Sequence, residues 1–136
     1  MLGKGLLTVL GKTTRQRRGN AAENLALEHL QSQGLELLTR NYRCRQGEID
    51  LIMQDHSGLV FVEVRYRAGN SHGGALQSVD FRKQSKIILA ALHYLQHHPA
   101  HARMAARFDV IGVSGDLSGK GDLARIDWIR NAFQAN

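Results

Sequence analysis

Hydrophobic positions along the chain follow two periods. Residues 48–53 and 59–66 are dense in Ile, Val, Leu and Phe, and Asp55, Ser57 and Gly58 between them are turn formers, so this stretch predicts a β-hairpin. Charge interrupts both strands at alternate positions, with Glu48 and Asp50 in the first and Glu63 and Arg65 in the second. A symmetric turn over 55–58 sets Asp50 opposite Glu63 and Glu48 opposite Arg65, all four on one face. Cross-strand partners sit about 4.5–5.5 Å apart at Cβ, and like charges facing each other are destabilising unless compensated. A metal ion and Arg65 are the candidate compensators.

Helical spacing appears on either side. Residues 20–33 predict a helix, with Asn20 as cap, Glu23 completing a capping-box-like start and Gly34 as stop. Ala22, Leu25, Ala26, His29, Leu30 and Gln33 share a face, and Glu23 in the first turn would suit the helix dipole. Leu35–Arg43 reads as a first strand with Leu35, Leu37 and Tyr42 buried. The glycine-rich loop 68–75 follows the hairpin, without the spacing of a nucleotide-phosphate loop. Ser78 or Asp80 caps a second helix running to Gln96, whose apolar surface comes from Val79, Ile87, Leu89, Ala90, Ala91, Tyr94 and Leu95, and Pro99 stops it. Arg107–Val113 and Arg125–Ile129 are the last strands, with Trp128 a core or lid aromatic. The order helix, three strands, helix, two strands gives an α/β fold. In it an antiparallel meander is joined by a crossover helix to a parallel strand, making a mixed sheet flanked by helices.

Composition narrows the picture further. At 136 residues, with 43% hydrophobic and 22% charged positions and one Pro, the chain suits a single folded domain, here residues 19–136, preceded by a basic flexible tail over 1–18. Lys and Arg outnumber Asp and Glu by 18 to 12, which suits a phosphate-bearing partner. Five of the cations precede Glu23, however, so the folded remainder is only mildly basic. A lone Cys44 excludes an internal disulfide and fits a reducing cytoplasm. No apolar run approaches the ~20 residues of a membrane span, and Leu6–Leu10 is too short for a signal-peptide core. His93, His97, His98 and His101 invite a metal reading, but no acid or Cys lies among them.

Asp50 and Glu63 have the residue types that hold Mg²⁺ or Mn²⁺ for phosphodiester hydrolysis, since Mg²⁺ is bound through one or two carboxylates and keeps its waters. The Val64 carbonyl lies in the same strand, and Glu23 is a third carboxylate if its helix packs beside this edge. Arg65 follows on the same face to contact a phosphate or the attacking water. Arg82, Lys83, Gln84 and Lys86 open the second helix; such a cluster is usually a solvated face, but in chain order it lies near the acids. The plain alternative is a set of cross-strand ion pairs on a solvent-facing hairpin, each worth under ~1 kcal/mol.

Gly19, Ala22-Glu23, Ala26, Leu30 and Gly34, then Asn41-Tyr42-Arg43, Gly47-Glu48-Ile49-Asp50-Leu51-Ile52, Phe61-Val62-Glu63-Val64-Arg65 and Arg107-Phe108-Asp109-Val110 together resemble the bacterial YraN family. That family is similar to archaeal Holliday-junction resolvases and belongs with the PD-(D/E)XK, restriction-endonuclease-like proteins. The resemblance spans about residues 15–130. It implies a restriction-endonuclease-like sheet, with Asp50 and Glu63 as the motif's metal-binding acids, Glu23 as the first-helix metal ligand and Gln84 near a helical Gln that faces the site. It also implies a DNA partner, for which the cations Arg67, Arg82, Lys83 and Lys86 are the candidate contacts, and a homodimer, for which these residues show no interface. Two positions depart from the pattern. Ile49 replaces the motif proline, and Arg65 replaces its lysine; a guanidinium stays protonated and can orient water or stabilise charge, but cannot act as a base. The expected functions are therefore a metal-dependent endonuclease acting on DNA, a nucleic-acid-binding module that keeps the fold without the reaction, or a protein-interaction factor.

Overall fold

The structure is a computed structural model and describes residues 14–67, 74–117 and 124–135. Its elements are α1 (Thr14–Ser32), β1 (Glu36–Cys44), β2 (Gly47–Asp55), β3 (Gly58–Arg67), α2 (Phe81–His97), β4 (Ala106–Gly115) and β5 (Ala124–Phe133). The strands form one mixed five-stranded sheet in the order β1-β2-β3-β4-β5. β1 to β3 are antiparallel, β4 runs parallel to β3 across the α2 crossover, and β5 returns antiparallel. This is the α/β architecture read from the sequence.

Each helix covers one face of the sheet. Ala22, Ala26 and Leu30 of α1 pack on Leu51, Met53, Val60, Val62, Ile111 and Val113, the small alanines letting the helix lie close. Ile87, Ala90, Ala91 and Tyr94 of α2 pack on Ile52, Leu59, Phe61, Phe108 and Val110 from the other side. The central β3 therefore buries both faces, its side chains alternating between the two cores from Leu59 to Val62. Asp80 caps α2 by accepting from the Lys83 N–H, the alternative cap, Ser78, donating instead to the Ala75 carbonyl. Leu89, expected on the apolar face, is half exposed.

Several expectations change. α1 begins at Thr14, so residues 14–18, assigned to the tail, are helical, while 1–13 lie outside the described residues. Asn20 and Glu23 thus sit inside the helix, and neither capping nor the dipole accounts for Glu23. The Arg- and Gln-rich run before Gly19 propagates helix well enough to carry it across Gly19-Asn20. β5 extends to Phe133, beyond the expected Ile129. The 68–75 loop lies mostly outside the described residues. Among the described residues, no helix is long and apolar enough to cross a membrane.

Candidate active site

The hairpin turn forms because Asp55 Oδ1 accepts from the Ser57 N–H (2.8 Å), the Ser57 hydroxyl (2.6 Å) and the Gly58 N–H (3.0 Å), an Asx-type turn built by local side chains. It sets the predicted register, pairing Leu51 with Val62, Ile52 with Phe61 and Met53 with Val60. Pairing ends at Leu51 and Val62. One step further on, Asp50 Oδ2 accepts the Val64 N–H at 2.8 Å, so a side chain replaces the next rung of the ladder.

The strands also change face here. Ile49 packs in the α2-side core, yet Leu51, two residues on, packs in the α1-side core. On β1, which pairs Tyr42 with Ile49 and Arg40 with Leu51, the Tyr42 hydroxyl bonds to His93 of α2 while the Arg40 guanidinium reaches Glu23 of α1. Asn41 between them has φ 55, a left-handed conformation that Asn tolerates better than most residues. Asp50 thus occupies the twist where β2 parts from β3. Glu48 falls outside the hairpin register: instead of opposing Arg65 it lies 3.3 Å from Arg43 of β1, with both side chains well exposed.

Half-buried Asp50 comes together with buried Glu63. Glu63 is 4% exposed, so the pair is not a solvent-facing ornament of the hairpin. Burial, then the charge of Glu63, push the Asp50 carboxyl up to about 8 against the stabilising Val64 N–H, with a smaller contribution from Glu23. Glu63 Oε2 lies 3.3 Å from Arg65 Nε and 3.7 Å from Lys83 Nζ. Arg65 Nε is close enough to pair electrostatically but badly angled for a hydrogen bond, and it is a buried donor left without an acceptor. Arg65 Nη2 donates to the Ser78 carbonyl at 3.1 Å. That segment reaches the sheet because residue 112 is glycine: a Cβ there would lie 2.7 Å from the Ala75 Cβ.

The remaining predicted residues are placed differently. Glu23 is 9% exposed and accepts from Arg40 Nε at 2.9 Å, so it acts on Asp50 through space while held by a cation. Among the described residues, no three His, Cys, Asp or Glu side chains converge as a ligand set. Gln84 donates to the Val79 carbonyl at 2.9 Å and braces the start of α2. Arg67 donates to the Gly74 carbonyl at 2.7 Å, tying down the end of β3. Arg82 and Lys86 are exposed on α2. The four histidines serve α2 and its end. His97 Nδ1 donates to the His93 carbonyl, His101 shares a hydrogen bond with the Tyr94 hydroxyl, and Tyr94 stacks on His98.

A second buried polar cluster closes the opposite end of the hairpin. Asp109, 0% exposed, accepts from Arg107 Nε (3.0 Å), Trp128 Nε1 (2.9 Å) and the Asn131 N–H (2.9 Å). Arg107 Nη1 also donates to Asp55 Oδ2 at 3.0 Å. Burial raises the Asp55 carboxyl, but its Ser57 and Arg107 hydrogen bonds outweigh this and hold it at about 2.

The family model described as "Uncharacterised protein family UPF0102" matches residues 22–113. The chain belongs to the UPF0102 family. The matched span contains Glu23, Asp50, Glu63, Arg107 and Asp109 and stops before β5. Among its UPF0102 relatives, a protein of Pseudomonas syringae pv. syringae is 48% identical over 91% of this chain and 98% of its own length. One from Aeromonas hydrophila is 54% identical over 85% of this chain and 84% of its own. The structure of SfsA from Pyrococcus furiosus in complex with Ca²⁺ aligns over 85% of this chain with TM-score 0.33 and 14% identity, and this chain spans 63% of that one.

Sequence reasoning missed three features of this UPF0102 chain. Arg40 gives no local signal because its partner lies on the preceding helix. The motif Arg107-Phe108-Asp109-Val110 was visible, but its Trp128 and Asn131 partners come from β5. The groove lined by Arg43, Arg45, Lys83 and Lys86 joins a turn to a helix far apart in the chain.

Proposed function

We propose that this protein is a metal-dependent nuclease that hydrolyses phosphodiester bonds in DNA, with Asp50 and Glu63 as the ligands of Mg²⁺ or Mn²⁺. One observation carries the reading. A half-buried carboxylate and a buried one are brought together, burial and the charge of Glu63 push Asp50 up to about 8, and a hard divalent cation relieves that conflict. Two carboxylates suffice for Mg²⁺, which does not require Glu23. When bound, the cation would polarise the scissile phosphate and lower the pKa of a bound water.

The chain's own residues divide the remaining work. The Val64 N–H fixes one Asp50 oxygen, leaving the other for the cation. Arg65, anchored on Ser78, presents a permanent positive charge to the phosphate. Lys83, whose Nζ reaches Glu63 from the first turn of α2, supplies an amine that can exchange a proton where the Arg65 guanidinium cannot. A second reading, DNA binding without turnover, is favoured by the approach of Arg65 to Glu63, which neutralises a ligand that the metal would use.

The test is cleavage of labelled duplex, single-stranded and branched DNA with Mg²⁺ or Mn²⁺. Metal-dependent cleavage that falls at least ~100-fold in Asp50→Ala and Glu63→Ala is expected. Absence of cleavage on every substrate, with salt-sensitive binding that survives loss of both carboxylates, would establish the second reading instead.

A further inference from the structure

The β1–β2 turn and the first turns of α2 enclose a groove of about 440 Å³ whose walls carry Arg43, Arg45, Lys83 and Lys86 against a single acid, Glu48. The two walls are in direct contact, because a Cβ on Gly47 would lie 2.8 Å from the Lys86 carbonyl oxygen. The turn can lie on the helix only with glycine at that position. Little of the charge in the groove is spent. Arg43 and Glu48 form an exposed pair at 3.3 Å, of the kind worth under ~1 kcal/mol. Lys83 leans towards Glu63. Arg45 and Lys86 have no ion-pair partner among the described residues.

The groove is also continuous with the acidic centre. Lys83 belongs to both, and β2 runs directly from Gly47 in the groove to Asp50, about 10 Å of extended chain. A strand whose scissile phosphate lay at Asp50 and Glu63 would carry a neighbouring phosphate along this line. Arginine forks match phosphate oxygens, and lysines add point charge.

We infer that this groove seats a backbone phosphate of the bound DNA strand beside the scissile one, with Arg45 and Lys86 as its main contacts and Arg43 released from Glu48 to join them. The inference rests on reading the Asp50–Glu63 centre as a nucleic-acid site. It deepens that reading by naming a positioning subsite that involves none of the carboxylates.

The test measures binding of a fluorescein-labelled DNA duplex by anisotropy, in metal-free buffer and over a range of salt, with the full chain. Wild type is compared with Arg45→Ala/Lys86→Ala and with Arg103→Ala, an exposed cation in the α2–β4 connection near Gly58 at the far end of the sheet. All three are checked for native circular dichroism. The double variant should bind at least ~10-fold more weakly, and its slope of log K against log salt should be shallower by about 1, since one lost phosphate contact removes about 0.9. Arg103→Ala should keep the wild-type slope. A double variant with the wild-type slope overturns the subsite and leaves the proposed nuclease standing. An equal change in Arg103→Ala overturns it too, by reducing the groove to general charge. A wild type with no salt-sensitive binding removes the nucleic-acid reading and the subsite together.

Discussion

Asp109 and Asp50 are aspartates on strands of one sheet, and they differ in what faces their oxygens. Asp109 meets Arg107 Nε, the Trp128 indole and the Asn131 backbone N–H, while Asp55 shares the other side of the same arginine. Asp50 meets one backbone N–H and another acid. In the first cluster donors answer acceptors, and Asp55 is held at about 2. In the second, Arg65 and Lys83 stand 3.3 and 3.7 Å from Glu63, while Asp50, facing burial and the Glu63 charge, rises to about 8. The comparison separates two uses of buried charge. A saturated network fixes β2, β4 and β5 to one another, whereas Asp50, with no ion-pair partner among the described residues, is left beside a second acid.

The largest effect should come from breaking the saturated cluster. Asp109→Ala leaves Arg107 Nε, the Trp128 N–H and the Asn131 N–H without their acceptor, and should cost about 3–5 kcal/mol in urea unfolding. A loss below ~1 kcal/mol would mean that the network does not hold the strands together. Asp55→Asn should cost about 1–2 kcal/mol at neutral pH. Because the folded carboxyl of Asp55 is lowered, its contribution is complete above about pH 4 and disappears as pH falls through about 2. Asp55→Asn should therefore flatten the acid limb of the stability profile.

Asp50 gives the opposite sign. Its folded carboxyl titrates near 8, against about 3.9 in the unfolded chain. Between those values the unfolded state sheds a proton that the folded state keeps, so its stability contribution is complete below about pH 4 and is lost as pH rises through about 8. Metal-free Asp50→Asn should remove that decline and be more stable than wild type at pH 8, by about 1 kcal/mol or more. Equal pH profiles for the two proteins would erase the contrast between the clusters. The smallest expected effect on the fold is that of Lys83→Met, an exposed-to-half-buried site whose melting temperature should stay within a few degrees of wild type. Its cleavage should nevertheless fall well below that of Arg82→Ala, whose side chain is exposed beside it on α2; equal activities would remove Lys83 from the centre.

What the sequence revealed follows from the range of the interactions. The hairpin register was legible because Asp55, Ser57 and Gly58 build the turn locally, and register then brings Asp50 to Glu63. The order of elements was legible from periodicity. The opposition of Glu48 and Arg65 failed because pairing stops at Leu51 and the strands twist apart at Asn41 and Asp50, a departure that alternation cannot encode. Glu23 was singled out, yet its arginine partner stands across a helix–strand packing contact. Gln84 was placed near the site by resemblance, and the Val79 carbonyl claims its amide. The Asp109 partners enter only when β5 pairs with β4.

Whether Asp50 and Glu63 hold a divalent cation can be read from calorimetric titration of Mn²⁺ into the metal-free protein at pH 7 in buffers of different ionisation enthalpy. Binding should be accompanied by proton release, because the raised Asp50 carboxyl, at about 8, holds its proton at that pH before the metal arrives, and both signals should be lost in Asp50→Asn and Glu63→Gln. No binding, or binding that both variants retain, would contradict a cation site at these two carboxylates.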